Sequence, residues 1–480
     1  MSFSRLHFRF FAAFAAVVFS VFSAAGLAGE NVDDTFSTVL PNGLKVVVKE
    51  DHRAPVVAQM VWYRVGSVDE VDGSSGLAHL LEHMMFKGTP KIGAGEFSRR
   101  VAAAGGRDNA FTSRDYTAYF QQAPKEKLAE MMALESDRMR HLSVAPEEFA
   151  QEIKVVMEER RMRTDDDPQS LLFEQANAVA FQTHPYRRPV IGWMSDLENM
   201  TAADAKAWYD AWYAPNNATL VVSGDVEHAA VFRLARQYYG PARARKLPLR
   251  RPQAEPEQKG IRRLTVKGPA ELPLLLMAWK APRIEKSGAD ELADSPVDPY
   301  ALDMLAAILD GHDAARLTRN LVRERRIATG VGASYDSLGR GPSLFYLYGS
   351  PLPGQTPEAL EEALRGEIAD IAQNGVSEAE LARAKAQLVA AEIYKLDSVF
   401  GQAMEIGMLE TLGFSYRDAK AFTARLEQVT VEEVRAAAGK WFADDRLTVG
   451  LLVPVPLEEA ARQAESAAGG DAGDTGAARH

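Results

Sequence analysis

One plan of elements is written twice in this 480-residue chain, and that repetition limits the fold more than any other feature. In the first half, Leu44–Val48 and Val56–Tyr63 are rich in β-branched and aromatic residues. The turns Pro41-Asn42-Gly43 and Asp51–Pro55 bracket them, which predicts two strands. A loop from Gly66 to Gly76 leads to Leu77, Leu80, Leu81 and Met84, apolar at helical spacing, with Ser74 or Ser75 as the expected cap and Gly88 as the expected end. Gly105–Thr112 and Tyr116–Phe120 read as a strand pair turning at Ser113–Asp115. Helices are expected over 125–141, 146–163, 168–180 and 202–213, then a strand over Ala218–Gly224. The second half repeats the plan: strand Leu272–Trp279, polar loop, helix Tyr300–Leu309 ending at Gly311, and final strand Leu447–Val453. The expectation is an α+β protein of two homologous domains, 30–245 and 263–455, joined by a Pro-, Arg-, Lys- and Glu-rich linker at 246–262.

Composition narrows the partners. A formal net charge of −11 argues against nucleic acid, whose phosphates require a basic surface. Cysteine is absent, which excludes disulfides, thiolate metal sites and Cys nucleophiles and suits an oxidising compartment. Arg5 and Arg9, the apolar run Phe10–Phe22 and the small residues Ser23–Ala28 read as a signal peptide over residues 1–29, cleaved near Ala25 or Ala28. The run is shorter than the roughly 20 residues of a membrane span. The mature protein is therefore expected to be exported, in the periplasm. Residues 456–480, rich in Gly, Ala and Asp, are expected to be disordered.

The chemistry centres on His79-Leu80-Leu81-Glu82-His83, of the form H-x-x-E-H. Residues four apart share a helix face, so both imidazoles aim at one point, and Glu82 reaches a water held there. Two nitrogen ligands and a general base form the beginning of a zinc site. The order inverts H-E-x-x-H, which the chain lacks. A catalytic zinc needs a third protein ligand, and the remaining histidines are scattered, so a carboxylate is the better candidate. On the helix 146–163, Phe149, Ile153 and Val156 form the apolar stripe. Glu152 and Glu159, seven apart, lie on one face beside it, while Glu158 is rotated away towards solvent.

These residues resemble the pitrilysin/insulinase family of inverted-motif zinc peptidases, especially the short branch that includes the mitochondrial processing peptidase subunits. The likeness runs through roughly 36–455, including Gly76–Thr89, Asn109-Ala110, His184-Pro185-Tyr186 and Tyr213–Ala218. It implies two domains that each pack helices on a mostly antiparallel sheet and together form half of a clamshell chamber. It implies one Zn2+ per chain, held by His79, His83 and Glu159, with Glu152 orienting a ligand from behind and Glu82 as the catalytic base. It further implies substrate lying as an added strand along a sheet edge, its backbone held by Asn109 and Ala110. The implied activity is a metalloendopeptidase acting on peptides or unfolded segments. The rival readings are a processing peptidase of narrow specificity and a non-catalytic core-type subunit. One departure bears on partners: where the family carries an Arg and, seven residues on, a Tyr, this chain has Val322 and Thr329. The resemblance therefore implies a dimer, in which a homologous subunit supplies the Arg/Tyr pair.

Overall fold

The computed structural model describes residues 34–285 and 296–456; the expected signal peptide and the tail beyond residue 456 lie outside the described residues. The chain opens with strands β1 (Thr35–Val39), β2 (Lys45–Glu50) and β3 (Val56–Tyr63), followed by helices α1 (Leu77–Met84) and α2 (Glu96–Ala103). A hairpin of β4 (Arg107–Thr112) and β5 (Thr117–Pro124) comes next. Helices α3 (Leu128–His141), α4 (Pro146–Arg160), α5 (Pro168–Ala180), α6 (Met194–Asn199) and α7 (Ala202–Trp212) then lead to β6 (Ala218–Gly224) and α8 (His228–Tyr239). The second series comprises β7 (Arg262–Pro269), β8 (Leu274–Ala281), α9 (Asp298–Asp310), and the hairpin β9 (Ala328–Ser334) and β10 (Ser343–Pro351). It continues through α10 (Pro357–Asn374), α11 (Glu378–Lys395), α12 (Val399–Leu412), α13 (Ala419–Gln428) and α14 (Val431–Trp441) to β11 (Leu447–Val455).

These strands build two sheets, in the orders β1-β2-β6-β3-β5-β4 and β7-β11-β8-β10-β9. Without β1 the two orders are the same. Each sheet is antiparallel except for one equivalent parallel pair, β2 with β6 and β7 with β11. Both faces of the central strands are covered, as their period-two side chains show. Val57, Val61 and Tyr63 of β3 join a core with α1, α3, α7 and α8, whereas Ala58, Met60 and Trp62 face Val399, Ala403 and Ile406 of α12. In the second sheet, Leu275, Met277 and Trp279 of β8 face α9, while Leu274 and Leu276 pack on Leu172 and Ala176 of α5. The two series therefore exchange helices: α5 covers the second sheet and α12 the first.

Several elements differ from expectation for identifiable reasons. The stretch ahead of the first expected strand forms β1, because Thr35, Ser37 and Val39 pair antiparallel with Lys49, Val47 and Lys45. Helix 125–141 begins as a 3-10 turn at Lys125–Lys127, and helix 146–163 gives way after Arg160 to a widened π turn at Arg161–Asp165. The segment expected to link domains has no regular structure before β7, but it is pinned down. Arg250 bonds Asp69, and Glu255 accepts the backbone N–H groups of Gln182, Thr183 and His184 together with Lys280. Burial opposes these bonds, yet they hold the Glu255 carboxyl down at about 2.

Candidate metal centre

Helix α1 starts at Gly76, whose φ of +87° is a conformation that glycine adopts freely. A Cβ there would also press on the carbonyl of Ile191, so glycine is required twice over. Neither Ser74 nor Ser75 caps this helix. Glu70 does, accepting the N–H groups of Gly76 and Ala78 at 3.0 and 2.8 Å, while Ser75 bonds Asp196. A buried carboxylate at a helix start satisfies two otherwise orphaned donors. Burial nevertheless pushes the Glu70 carboxyl up, to about 8. The helix ends at Met84 rather than Gly88. Leu77, Leu80, Leu81 and Met84 are buried, which leaves His79, Glu82 and His83 half-buried on the side that meets α4 and β4.

Across from them, α4 presents both acids on one face. Glu159 Oε2 lies 3.3 Å from His83 Nε2 and 3.8 Å from His79 Nε2. The donor atoms of His79, His83 and Glu159 all fall within 4.8 Å of one another; this is the one such group among the described residues. Glu152 takes a different position, its Oε1 lying 2.9 Å from His83 Nδ1 and its other oxygen meeting Lys87. With Nδ1 turned to Glu152, Nε2 of His83 is left to face the shared point. Glu158, as expected, points to solvent and pairs with Arg161. Glu82 sits beside the cluster, and its Oε2 accepts the Thr112 hydroxyl at 2.5 Å.

The two imidazoles differ in charge. Burial pulls His79 down to about 4, so it is neutral, and its buried Nδ1 has no partner. Burial acts the same way on His83, but Glu152 and Glu159 outweigh it and push that ring up to about 9. The bond from His83 holds Glu159 below its usual range. For Glu152, burial is outweighed by His83 and Lys87, and its carboxyl is lowered too. Burial raises Glu82. Two imidazole nitrogens and one carboxylate oxygen, converging from two helices in a half-buried site, are the donor set and number that catalytic zinc takes. An imidazole kept neutral by its surroundings is already in the ligating form.

Asn109 and Ala110 lie on β4, which pairs with β5 on one side and is the free edge of its sheet on the other. The Ala110 N–H donates to Asn109 Oδ1 at 2.9 Å rather than to β5. Val322 lies in a π turn at Thr318–Glu324, and Thr329 is exposed on β9. Sequence reasoning missed Glu70, Lys87, Thr112 and Arg163. Arg163 Nη1 lies 2.7 Å from Glu159 Oε1, and its i,i+4 spacing was visible in the sequence. Lys87 and Thr112 act across elements, and Glu70 folds back from the loop before α1, so no periodicity announces them.

Two family models cover most of the chain: the insulinase family (peptidase family M16) matches residues 45–193, and the peptidase M16 inactive domain matches 199–388. A zinc protease of Helicobacter pylori, PqqE, is 31% identical over 428 residues, covering 87% of this chain and 92% of that protein. The mitochondrial-processing peptidase subunit beta of Blastocladiella emersonii is 25% identical over 437 residues, covering 88% and 90% respectively. Among solved structures, a protease from Helicobacter pylori superposes with a TM-score of 0.82 at 30% identity, covering 88% of this chain and all of that one.

Proposed function

The chain belongs to the insulinase family of M16 peptidases, and from that premise we propose that it is a zinc metalloendopeptidase acting on peptides or unfolded polypeptide segments. The observation that carries this reading is the convergence of His79, His83 and Glu159 within 4.8 Å, with Glu82 beside them. These three side chains would hold one Zn2+, which when bound would polarise a peptide carbonyl and acidify a water. The chain's own residues do the rest. Glu82 is tied at Oε2 to Thr112, which leaves Oε1 to take a proton from the attacking water and return it to the leaving amine. Glu152 fixes the His83 ring, and Lys87 fixes Glu152. The free edge of β4 offers backbone groups to an extended peptide, and Asn109, whose side chain occupies the Ala110 N–H, swings away to admit it. Recognition of main chain suits unfolded substrates of varied sequence.

We propose export to the periplasm as well, on the strength of the signal-like pattern in residues 1–29. We also propose a dimer with a homologous subunit that supplies the Arg/Tyr pair, because Val322 and Thr329 stand at those positions. The test is cleavage of an unstructured fluorogenic peptide by zinc-loaded protein, with Glu82→Gln alongside. Cutting by the wild type alone supports the peptidase reading. If that cutting comes from a complex of one chain type, the separate-partner idea fails. If zinc is bound and neither protein cuts even with a homologous subunit added, the core-type, non-catalytic reading replaces it.

A further inference from the structure

Glu159 has two oxygens, and the structure gives them different partners. Oε2 faces both imidazoles, at 3.3 and 3.8 Å, whereas Oε1 is held by Arg163 Nη1 at 2.7 Å. Arg163 belongs to the π turn at Arg161–Asp165, where the chain widens immediately after α4; such turns recur at functional sites. The same stretch contains an internal comparison: Glu158 and Arg161 form an i,i+3 pair at 2.9 Å, but both side chains are largely exposed. Surface pairs of that kind contribute little. Arg163 differs because its partner carboxylate is 13% exposed and its partner's other oxygen has a second task.

We propose that Arg163 is a positioning residue for the metal: by holding Oε1 of Glu159 it fixes the carboxylate so that Oε2 alone is presented to the ion. The inference rests on the zinc reading above. Two effects compete. The guanidinium repels a divalent cation, which favours removing it, but its side chain is 72% exposed and water screens that repulsion. Holding the carboxylate in its ligating rotamer removes an ordering cost that the ion would otherwise meet, and losing such an outer partner typically costs 10–100-fold in metal affinity. The second effect is the larger.

The experiment is a competition titration of the metal-stripped protein with zinc against a chromogenic chelator, for wild type, Arg163→Ala, Arg163→Lys and Arg161→Ala. Melting temperatures of the metal-free forms control for folding. The expected result is one zinc per wild-type chain, a loss of about 10–100-fold for Arg163→Ala, most of the affinity kept by Arg163→Lys, and none lost by Arg161→Ala. If Arg163→Ala binds zinc as tightly as wild type or more tightly, the charge acts only as a screened repulsion and the proposal falls. An equal loss in Arg161→Ala would overturn it too, since any nearby charge would then serve. A wild type that takes up no zinc would overturn the zinc reading itself, and the inference with it.

Discussion

The two sheets share a strand order apart from β1, and the equivalent strands β3 and β8 are each followed by a helix that packs against a later helix: α1 against α4, and α9 against α11. The frames are alike but the polar contents are not. The first pair turns His79, Glu82 and His83 towards Glu152 and Glu159, and Lys87 and Arg163 neutralise the acids. On α9 the buried face is apolar from Tyr300 to Leu309. Its Asp303 meets Ser337 but lies near the like charges of Asp336 and Glu392, and burial pushes it up to about 8. A packed helix pair therefore does not by itself make a metal site. Where acids bond imidazoles and cations, as Glu152 and Glu159 do, their carboxyls are held low and aimed; where burial acts with like charges nearby, as at Asp303, the carboxyl is pushed up.

The largest effect expected from this contrast is all-or-none. His79→Ala or His83→Ala should abolish stoichiometric zinc retention, while Asp303→Asn and Glu392→Gln in the counterpart helices should leave it intact; metal analysis after gel filtration reads both. A zinc loss in Asp303→Asn would mean that the second helix pair takes part in the site.

The two histidines predict the pH dependence. Zinc requires both rings neutral. His79, pulled to about 4 by burial, has no proton to give up near neutrality, whereas His83, at about 9 in the metal-free protein, must release one. Affinity should therefore fall about tenfold for each unit of pH below 9 and level off above it. Calorimetry in buffers of different ionisation enthalpy counts the proton; a titration flat from pH 6 to 9 would show that the acids around His83 do not hold its proton.

Removing one of those acids is the next smaller step. Glu152→Ala frees His83 Nδ1 and strands Lys87 beside the ring. Zinc affinity at pH 9 should drop by about 10–100-fold, with the pH-dependent fall starting at a lower pH because His83 loses a partner that raises it. Unchanged affinity would show that the ring is oriented by packing alone.

What the sequence made legible follows from how far each interaction reaches. His79, Glu82 and His83 stand within one turn of one helix, and Glu152 and Glu159 within two turns of another, so periodicity alone put each set on a face. Glu70 caps α1 from across a loop, and Thr112 reaches Glu82 from a strand end. The first contact depends on how that loop folds back and the second on sheet order, and neither has a period. The strands β2, β3 and β6 were visible as apolar runs. β1 was hidden because none of its residues is buried and three of the five, Thr35, Ser37 and Thr38, are polar. The exchange of α5 and α12 was hidden for a different reason: periodicity says which face of a helix is buried, not which sheet buries it.

That exchange supplies the smallest effects, at two glycines. Gly407 of α12 lies against the indole of Trp62, which is fully buried, and an added Cβ would overlap the ring. Helix propensity favours alanine there by about 1 kcal/mol, but a rigid ring in a packed core cannot retreat, and overpacking typically costs about 1–3 kcal/mol. Gly407→Ala should therefore lower the denaturation midpoint. Gly450 of β11 is the counterpart, facing Leu172 of α5, where an added Cβ would lie 2.9 Å from Cδ1. That atom is the tip of a flexible side chain, so the cost is a rotamer adjustment of about 0.5–1.5 kcal/mol. Replacing a strand glycine recovers about 0.5–1 kcal/mol of chain entropy. The two nearly cancel, and Gly450→Ala should leave the midpoint almost where it was. A large drop there would mean that α5 is seated on its sheet as rigidly as α12 is on the other, through backbone rather than through the reach of Leu172.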